Sequence, residues 1–332
     1  MRVAENLNRA LAGLLESDPA AWILGEDIAD PYGGAFKITR GLSTRFPGRV
    51  VTTPLSEGAI VGAAAGLALG GETAVAEIMF GDFATLAFDQ LVNFAAKSVS
   101  MYGQRVPLRL IVRCPVGGGR GYGPTHSQSL QKHLIGVPGL DLYEMSPFHD
   151  AGELLAGILS REKPAVLFED KILYTRNMVA GPAVDDLHVH DRIEGDIVRV
   201  YAEDPEAYDC VLIAAGGVVE RTLAAMRALL LDEEISCLLL VPSRLYPFDV
   251  TTLLPILTRA GLVCVIEEGT AGGTWGAEIA YQVQRRMWGV LPRPVLSVHS
   301  SDSVIPAAVH LEDRVLVQAD TIRRAISEAL HG

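Results

Sequence analysis

The sequence predicts an α/β protein of two three-layer domains, each built on a mostly parallel sheet. Three observations carry that expectation. Short apolar runs alternate with helix-spaced segments along nearly the whole chain, which is the pattern of βα units. The alternation stops once, over residues 176–196, where charges, Pro182 and Gly195 replace the apolar periodicity. A length of 332 residues with 49% hydrophobic content also suits two medium domains better than one. The expected division is residues 1–180, a linker at 181–195, and residues 196–332.

The elements follow in order. Val3, Leu7, Leu11, Leu14 and Leu15 keep helical spacing, so the chain opens with an amphipathic helix. Residues 22–24 read as a strand ending at Gly25-Glu26-Asp27, followed by a loop with Tyr32-Gly33-Gly34. Pro54 favours extended backbone before it, so residues 49–51 end a second strand. Residues 73–80 form a strand, 83–98 an amphipathic helix and 106–113 a buried strand, with a glycine-dense loop over 115–123. A strand at 139–145, a helix from about 148–150 and a strand at 165–168 complete the first half. The second half gives strands at 210–214, 235–241, 262–266 and 295–298. Its helices fall at 218–231, 249–260, from 276 to about 288, and at 319–330.

The richest stretch is Thr52-Thr53-Pro54-Leu55-Ser56-Glu57-Gly58. Ser56 stands where a helix N-cap is wanted, and Glu57 falls in the first turn, facing unpaired N–H groups and the positive end of the dipole. Taken alone, such an acid need only serve the dipole. Gly58, Gly62, Gly66 and Gly70 recur on one face of the helix, each costing about 1 kcal/mol relative to alanine. That stripe implies close approach of another backbone, within the chain or between subunits.

Composition excludes several classes. A net charge of −12 argues against a nucleic-acid partner, and no apolar run is long enough to span a membrane. A mean hydropathy of +0.26 fits large cores or subunit contacts. The first residues lack a secretory h-region or transit-peptide character, so a cytoplasmic location is expected. Cys114, Cys210, Cys237 and Cys264 are scattered with no C-x-x-C pair, so no metal site is expected.

A second focus is Gly117-Gly118-Gly119-Arg120-Gly121-Tyr122-Gly123-Pro124-Thr125-His126-Ser127-Gln128-Ser129. Glycines at this density let backbone approach a ligand closely, yet the spacing matches neither a P-loop nor a dinucleotide fingerprint. His126 closes the loop ahead of a helix signalled by Ser127, and a histidine there can transfer protons or bind an anion.

The Thr53-Pro-Leu-Ser-Glu-Gly segment, the following Gly-x-Ala-x-Gly, Val75-Ala76-Glu77-Ile78, and His126-Ser127-Gln128-Ser129 with Val137-Pro138-Gly139-Leu140 resemble the β subunit of the E1 component of 2-oxoacid dehydrogenases. Gly123-Pro124-Thr125-His126 also resembles deoxyxylulose-phosphate synthases, a sister family. The resemblance implies a transketolase-like pyrimidine-binding domain followed by a transketolase C-terminal-like domain, and thiamine diphosphate as cofactor. In that family the glutamate at the position of Glu57 pairs with N1′ of the aminopyrimidine. Phe83 matches the aromatic that stacks on this ring, Met79 a residue lining its pocket, and His126 the active-site histidine beside the substrate.

The family's G-D-G…N-N motif, which holds the diphosphate and Mg²⁺, has no match here, and Gly81-Asp82-Phe83 is not a version of it. The resemblance therefore implies that an E1 α-like subunit supplies that half of the site, in an α2β2 heterotetramer. A lipoyl acyltransferase or carrier protein would receive the product. One departure concerns the substrate: the family's second histidine, two residues before the Pro-Gly-Leu proline, is Gly136 here, while His133 lies three residues earlier. With Arg120 and Lys132 near the same loop, this suits a phosphorylated or otherwise anionic substrate. Two-carbon ketol transfer and a non-catalytic structural role are the other readings. The segment from Glu267-Glu268 through Gly272-Gly273 to Glu278-Ile279 resembles a part of the family that supports assembly, and no catalysis is assigned to it.

Overall fold

The computed structural model describes residues 1–194 and 196–331; Gly195, which falls at the end of the expected linker, and Gly332 lie outside them. The chain divides into two units. Residues 1–116 and 134–178 form the first, and residues 117–133 and 179–332 the second.

The first unit opens with α1 (Val3–Ser17), whose Val3, Leu7, Leu11 and Leu15 are buried as their spacing requires. Its strands are β1 (Ala21–Gly25), β2 (Val50–Thr52), β3 (Thr73–Glu77), β4 (Leu110–Val116), β5 (Asp141–Glu144) and β6 (Ala165–Asp170). They lie side by side in the order β5-β6-β4-β3-β1-β2, all parallel. Helices cover both faces, so the central strands are buried throughout rather than in alternation. Between the strands run α2 (Glu57–Leu69) and α3 (Ala151–Ser160), the latter packed on α1. The Asp150 side chain caps α3 at the N–H groups of Gly152 and Glu153, and accepts from Asn6 of α1 at 2.7 Å.

Local details depart from the sequence reading for physical reasons. The N–H groups of Val106 and Leu108 bond outside the sheet, donating to Val99 and Glu162, so β4 starts at Leu110 rather than 106. The segment expected as one helix over 83–98 is a 3₁₀ turn (Gly81–Ala87), a π turn (Gln90–Ala95) and a last α turn (Ala96–Ser98). This irregular segment carries Gln90 against the glycine stripe: a Cβ at Gly58 or Gly62 would lie 3.3–3.4 Å from Gln90 side-chain atoms, whereas one at Gly66 would meet nothing within 4 Å. Ser56 does occupy the N-cap position, but its hydroxyl makes no capping bond.

The second unit holds β7 (Val189–Ile193), β8 (Ile197–Tyr201), β9 (Cys210–Ala214), β10 (Cys237–Pro242), β11 (Leu262–Thr270) and β12 (Leu296–Ser300), ordered β12-β11-β9-β10-β8-β7. The inner strands are parallel, while β7 and β8 add an antiparallel edge within and beside the stretch read as a linker. Its helices are α4 (Val218–Glu233), α5 (Trp275–Arg286), α6 (Val309–Val315) and α7 (Ala319–His331). The sequence reading lacked α6, a short and mostly polar helix. The expected helix over 249–260 is a 3₁₀ turn (Val250–Leu253) running into a single α turn (Leu254–Leu257). No helix follows Ser127, only the 3₁₀ turn Gln131–His133. Cys210 and Cys237 face each other across β9 and β10 with sulfurs 3.1 Å apart, both thiols in the core. Among the described residues no helix is long and apolar enough to cross a membrane.

Candidate active site

In the first unit the site is built where β1 and β2 end and α2 begins. Thr53 donates its N–H to the Gly25 carbonyl at 2.9 Å, tying the start of the Thr-Pro-Leu-Ser-Glu run to the end of β1. A Cβ at Gly25 would lie 2.9 Å from the Glu77 carbonyl, so only glycine lets β1 end against β3 here. This brings Glu26 beside Glu57. Both are buried, at 4% and 8% exposure. The Glu26 carboxyl accepts the Ser56 N–H, and burial together with the charges of Glu57 and Asp27 pushes its pKa above the ordinary value. Its Oε1 and the Thr53 hydroxyl are buried without a hydrogen-bond partner among the described residues. Ligands of open α/β sheets bind outside the carboxyl ends of the strands, and these groups sit at that place.

Met79 and Phe83 lie in the same unit, both half-buried. The turn Gly81–Ala87 that carries Phe83 packs on α2. Phe83 stands in an aromatic row, set edge-on to Phe80 at 6.1 Å, with Phe80 edge-on to Phe36 at 5.6 Å. Behind this row Arg113 of β4 is fully buried. It forms a two-pronged pair with Glu169 at 2.7 and 2.8 Å and donates to Glu77 at 2.5 Å, while Tyr174 donates to Glu169 at 2.7 Å.

Arg120, His126 and His133 belong to the second unit, in the segment Gly117–His133. The Thr125 hydroxyl lies 3.0 Å from His126 Nδ1, and the His126 N–H donates to the Gly123 carbonyl at 3.3 Å. His133 is exposed, and desolvation and the neighbouring Lys132 charge lower its pKa. The Lys132 ammonium donates to the carbonyls of Thr270, Ala271 and Gly272 and to the Thr270 hydroxyl, at 3.0–3.3 Å. It is thereby engaged with the chain itself. A cavity of about 450 Å³ lies beside it, lined among others by Gln128, Ser129, His133, Glu268 and Asp302. No group of three or more His, Cys, Asp or Glu side chains placed to hold a metal ion occurs among the described residues.

Sequence reasoning missed Glu26, Glu268 and Glu312 as site-building groups. An acid at the carboxyl end of a parallel strand was the available signal for Glu26. The two later glutamates act across 150–193 residues of chain, and nothing local marks them.

The domain family described as "Transketolase, pyrimidine binding domain" matches residues 1–177, and "Transketolase, C-terminal domain" matches residues 200–322. The pyruvate dehydrogenase E1 component subunit beta of Leifsonia xyli subsp. xyli is 32% identical, over 98% of this chain and 93% of that protein. The acetoin:2,6-dichlorophenolindophenol oxidoreductase subunit beta of Cupriavidus necator is 30% identical, over 98% and 96% respectively. Among solved structures, a split-gene transketolase described as an inactive beta4 tetramer superposes with a TM-score of 0.72 at 19% identity, covering 98% of this chain and 97% of that one. That likeness is one of fold. The chain belongs to the transketolase-like family of E1 β subunits of 2-oxoacid dehydrogenases.

Proposed function

We propose that this chain is the aminopyrimidine-binding half of a thiamine-diphosphate-dependent enzyme. It cleaves the bond next to the carbonyl of a 2-oxoacid and passes on the acyl group, working with an E1 α-like subunit in an α2β2 heterotetramer. The observation that supports this most is the trio at the start of α2. Glu57 is buried in the first turn, and the Glu26 Oε1 and Thr53 hydroxyl beside it lack partners. A buried polar atom without a partner costs free energy unless a ligand satisfies it, so the trio fits a heterocycle with ring and exocyclic nitrogens. Phe83 and Met79 supply apolar walls suited to an aromatic ring. When bound, thiamine diphosphate supplies the electron sink for the cleavage.

The chain's own residues have definite tasks. Glu57, in the first turn of α2, holds a proton at N1′ of the aminopyrimidine. His126, steadied by Thr125, donates a proton or stabilises charge near the substrate. Mg²⁺ and the diphosphate would be held by the α subunit. Of the cations offered for an anionic substrate, Lys132 is spent on carbonyls and His133 is shifted toward its neutral form. The relatives' names favour 2-oxoacid or acetoin chemistry over ketol transfer.

The test is calorimetry of thiamine diphosphate with Mg²⁺, on this chain alone and with a candidate α subunit, followed by turnover of 2-oxoacids, acetoin and ketose phosphates by the complex. Binding only with the partner, and turnover of a 2-oxoacid, is the expected result. Tight binding by the chain alone would overturn the split site, and turnover of ketose phosphates alone would move the assignment to ketol transfer.

A further inference from the structure

The glycine-rich loop is held by two carboxylates from the second unit. Glu312 of α6 is fully buried, and its two oxygens each accept one backbone N–H, from Gly119 and Gly121, both at 2.9 Å. Glu268 of β11 accepts the Gly118 N–H at 2.8 Å and the Ser129 hydroxyl at 3.1 Å, and is itself fixed by Arg221 at 2.6 Å. Gly119 and Gly121 have φ of +78° and +68°, so alternate residues turn left-handed and their two N–H groups converge on the one carboxylate. Such a nest binds anions, and here the chain's own Glu312 fills it. The loop also sits directly on the segment around α6: a Cβ at Gly118 would lie 2.5 Å from a Leu316 methyl, and one at Gly121 would lie 3.1 Å from the Ala307 carbonyl. The glycines are thus explained by contact with the chain itself. His126 follows Gly121 by five residues, inside the same clamped segment, whose far end Lys132 ties to Thr270–Gly272.

We propose that Glu312, supported by Glu268, is a positioning residue for catalysis: it fixes the loop in the one conformation that places His126 for proton transfer. The C-terminal domain then takes part in the reaction through this clamp as well as in assembly. The inference rests on the functional reading of His126 given above. Loss of the clamp misplaces a group whose contribution depends on sub-ångström geometry.

The experiment compares Glu312→Ala and Glu312→Gln with wild type in two readouts. In the chain alone, amide hydrogen exchange over residues 117–127 should rise at least tenfold in Glu312→Ala, with the rest of the second unit unchanged. In the assembled complex, kcat for a 2-oxoacid should fall about 10–100-fold with little change in KM or in thiamine diphosphate binding. Glu312→Gln, which keeps one acceptor oxygen in the nest, should recover much of both losses. Unchanged loop exchange, or a loosened loop with wild-type kcat, overturns the proposal. Protection lost evenly across the second unit also overturns it, because that marks support of the fold alone. An inactive wild-type complex would instead remove the functional reading, an outcome separate from a wild-type complex that is active and a variant that is equally so.

Discussion

Glu26 and Glu57 are two buried carboxyl groups at the junction of β1 and α2, close enough that the Glu57 charge helps to push the Glu26 pKa above its ordinary value. Burial is the main cause, and the Glu57 charge adds to it. Glu57 stands at the positive end of a helix, in the first turn of α2. For Glu57→Gln we expect turnover by the complex to fall more than about 100-fold, while thermal stability and capture by the α subunit stay as in wild type. Turnover at wild-type level in an assembled complex would remove Glu57 from catalysis.

The same shift has a sign for stability. Because the folded-state pKa of Glu26 lies above its unfolded value, its contribution is fully present below that ordinary value of 4.5 and is lost as pH rises through the raised one. Glu26→Gln should therefore melt at a higher temperature than wild type at pH 7, and the two curves should converge below pH 4.5. Parallel Tm profiles across that range would show that Glu26 carries no shifted proton.

Arg113 pairs with both Glu77 and Glu169 in a site closed to water. Arg113→Met leaves two carboxylates buried without their cation and should cost about 3–5 kcal/mol in denaturant unfolding. A loss below about 1 kcal/mol would mean that the carboxylates reach water or other donors.

The glycine stripe of α2 separates into two halves. Gly58 is covered by the Leu86 carbonyl and Gln90, whereas Gly66 has open space around it. Gly66→Ala should stabilise the isolated chain by about 1 kcal/mol. If α2 also serves as a subunit contact, the same variant weakens assembly in sedimentation, and Gly58→Ala destabilises the chain itself.

Lys132→Met should lower stability by about 2 kcal/mol through loss of the charged bonds to Thr270–Gly272. The ratio of KM values for anionic and uncharged 2-oxoacids should not move. A selective rise in KM for the anionic compounds would return Lys132 to substrate recognition.

Much of this molecule was legible in its residues because the signals are local. The spacing of Val3, Leu7 and Leu11, Pro54 ahead of Ser56, and the apolar runs around Val75, Ile111 and Val211 each mark an element within a few positions. Glu57 was legible for the same reason, as a first-turn acid in a distinctive run. What escaped depends on distant partners. Residues 81–98 have helical composition, but they tighten to 3₁₀ over Gly81–Ala87 and widen to a π turn over Gln90–Ala95, where Gln90 packs against the glycines of α2. Ser127 has the makings of a cap, yet the loop around it follows its contacts with Glu268 and Glu312 and never enters a helix of its own. Val189–Ile193 is half-exposed and charged and reads as a connection until Ile197–Tyr201 pairs with it.

The chain leaves the first unit after Val116, lends seventeen residues to the second, and returns at Leu134. A ribosome emits the first unit's last strand more than a hundred residues before it emits Glu312. The segment with His126 must therefore wait, tethered at both ends but unseated, until almost the whole polypeptide has been made. A nascent chain stalled or cleaved between residues 180 and 300 would have the parallel strands β1–β6 of its first unit and an unanchored loop. Such a product would carry Glu57 in a folded setting and His126 in a loose one, so quality control that samples only the first unit would pass a subunit unable to hold its histidine in place.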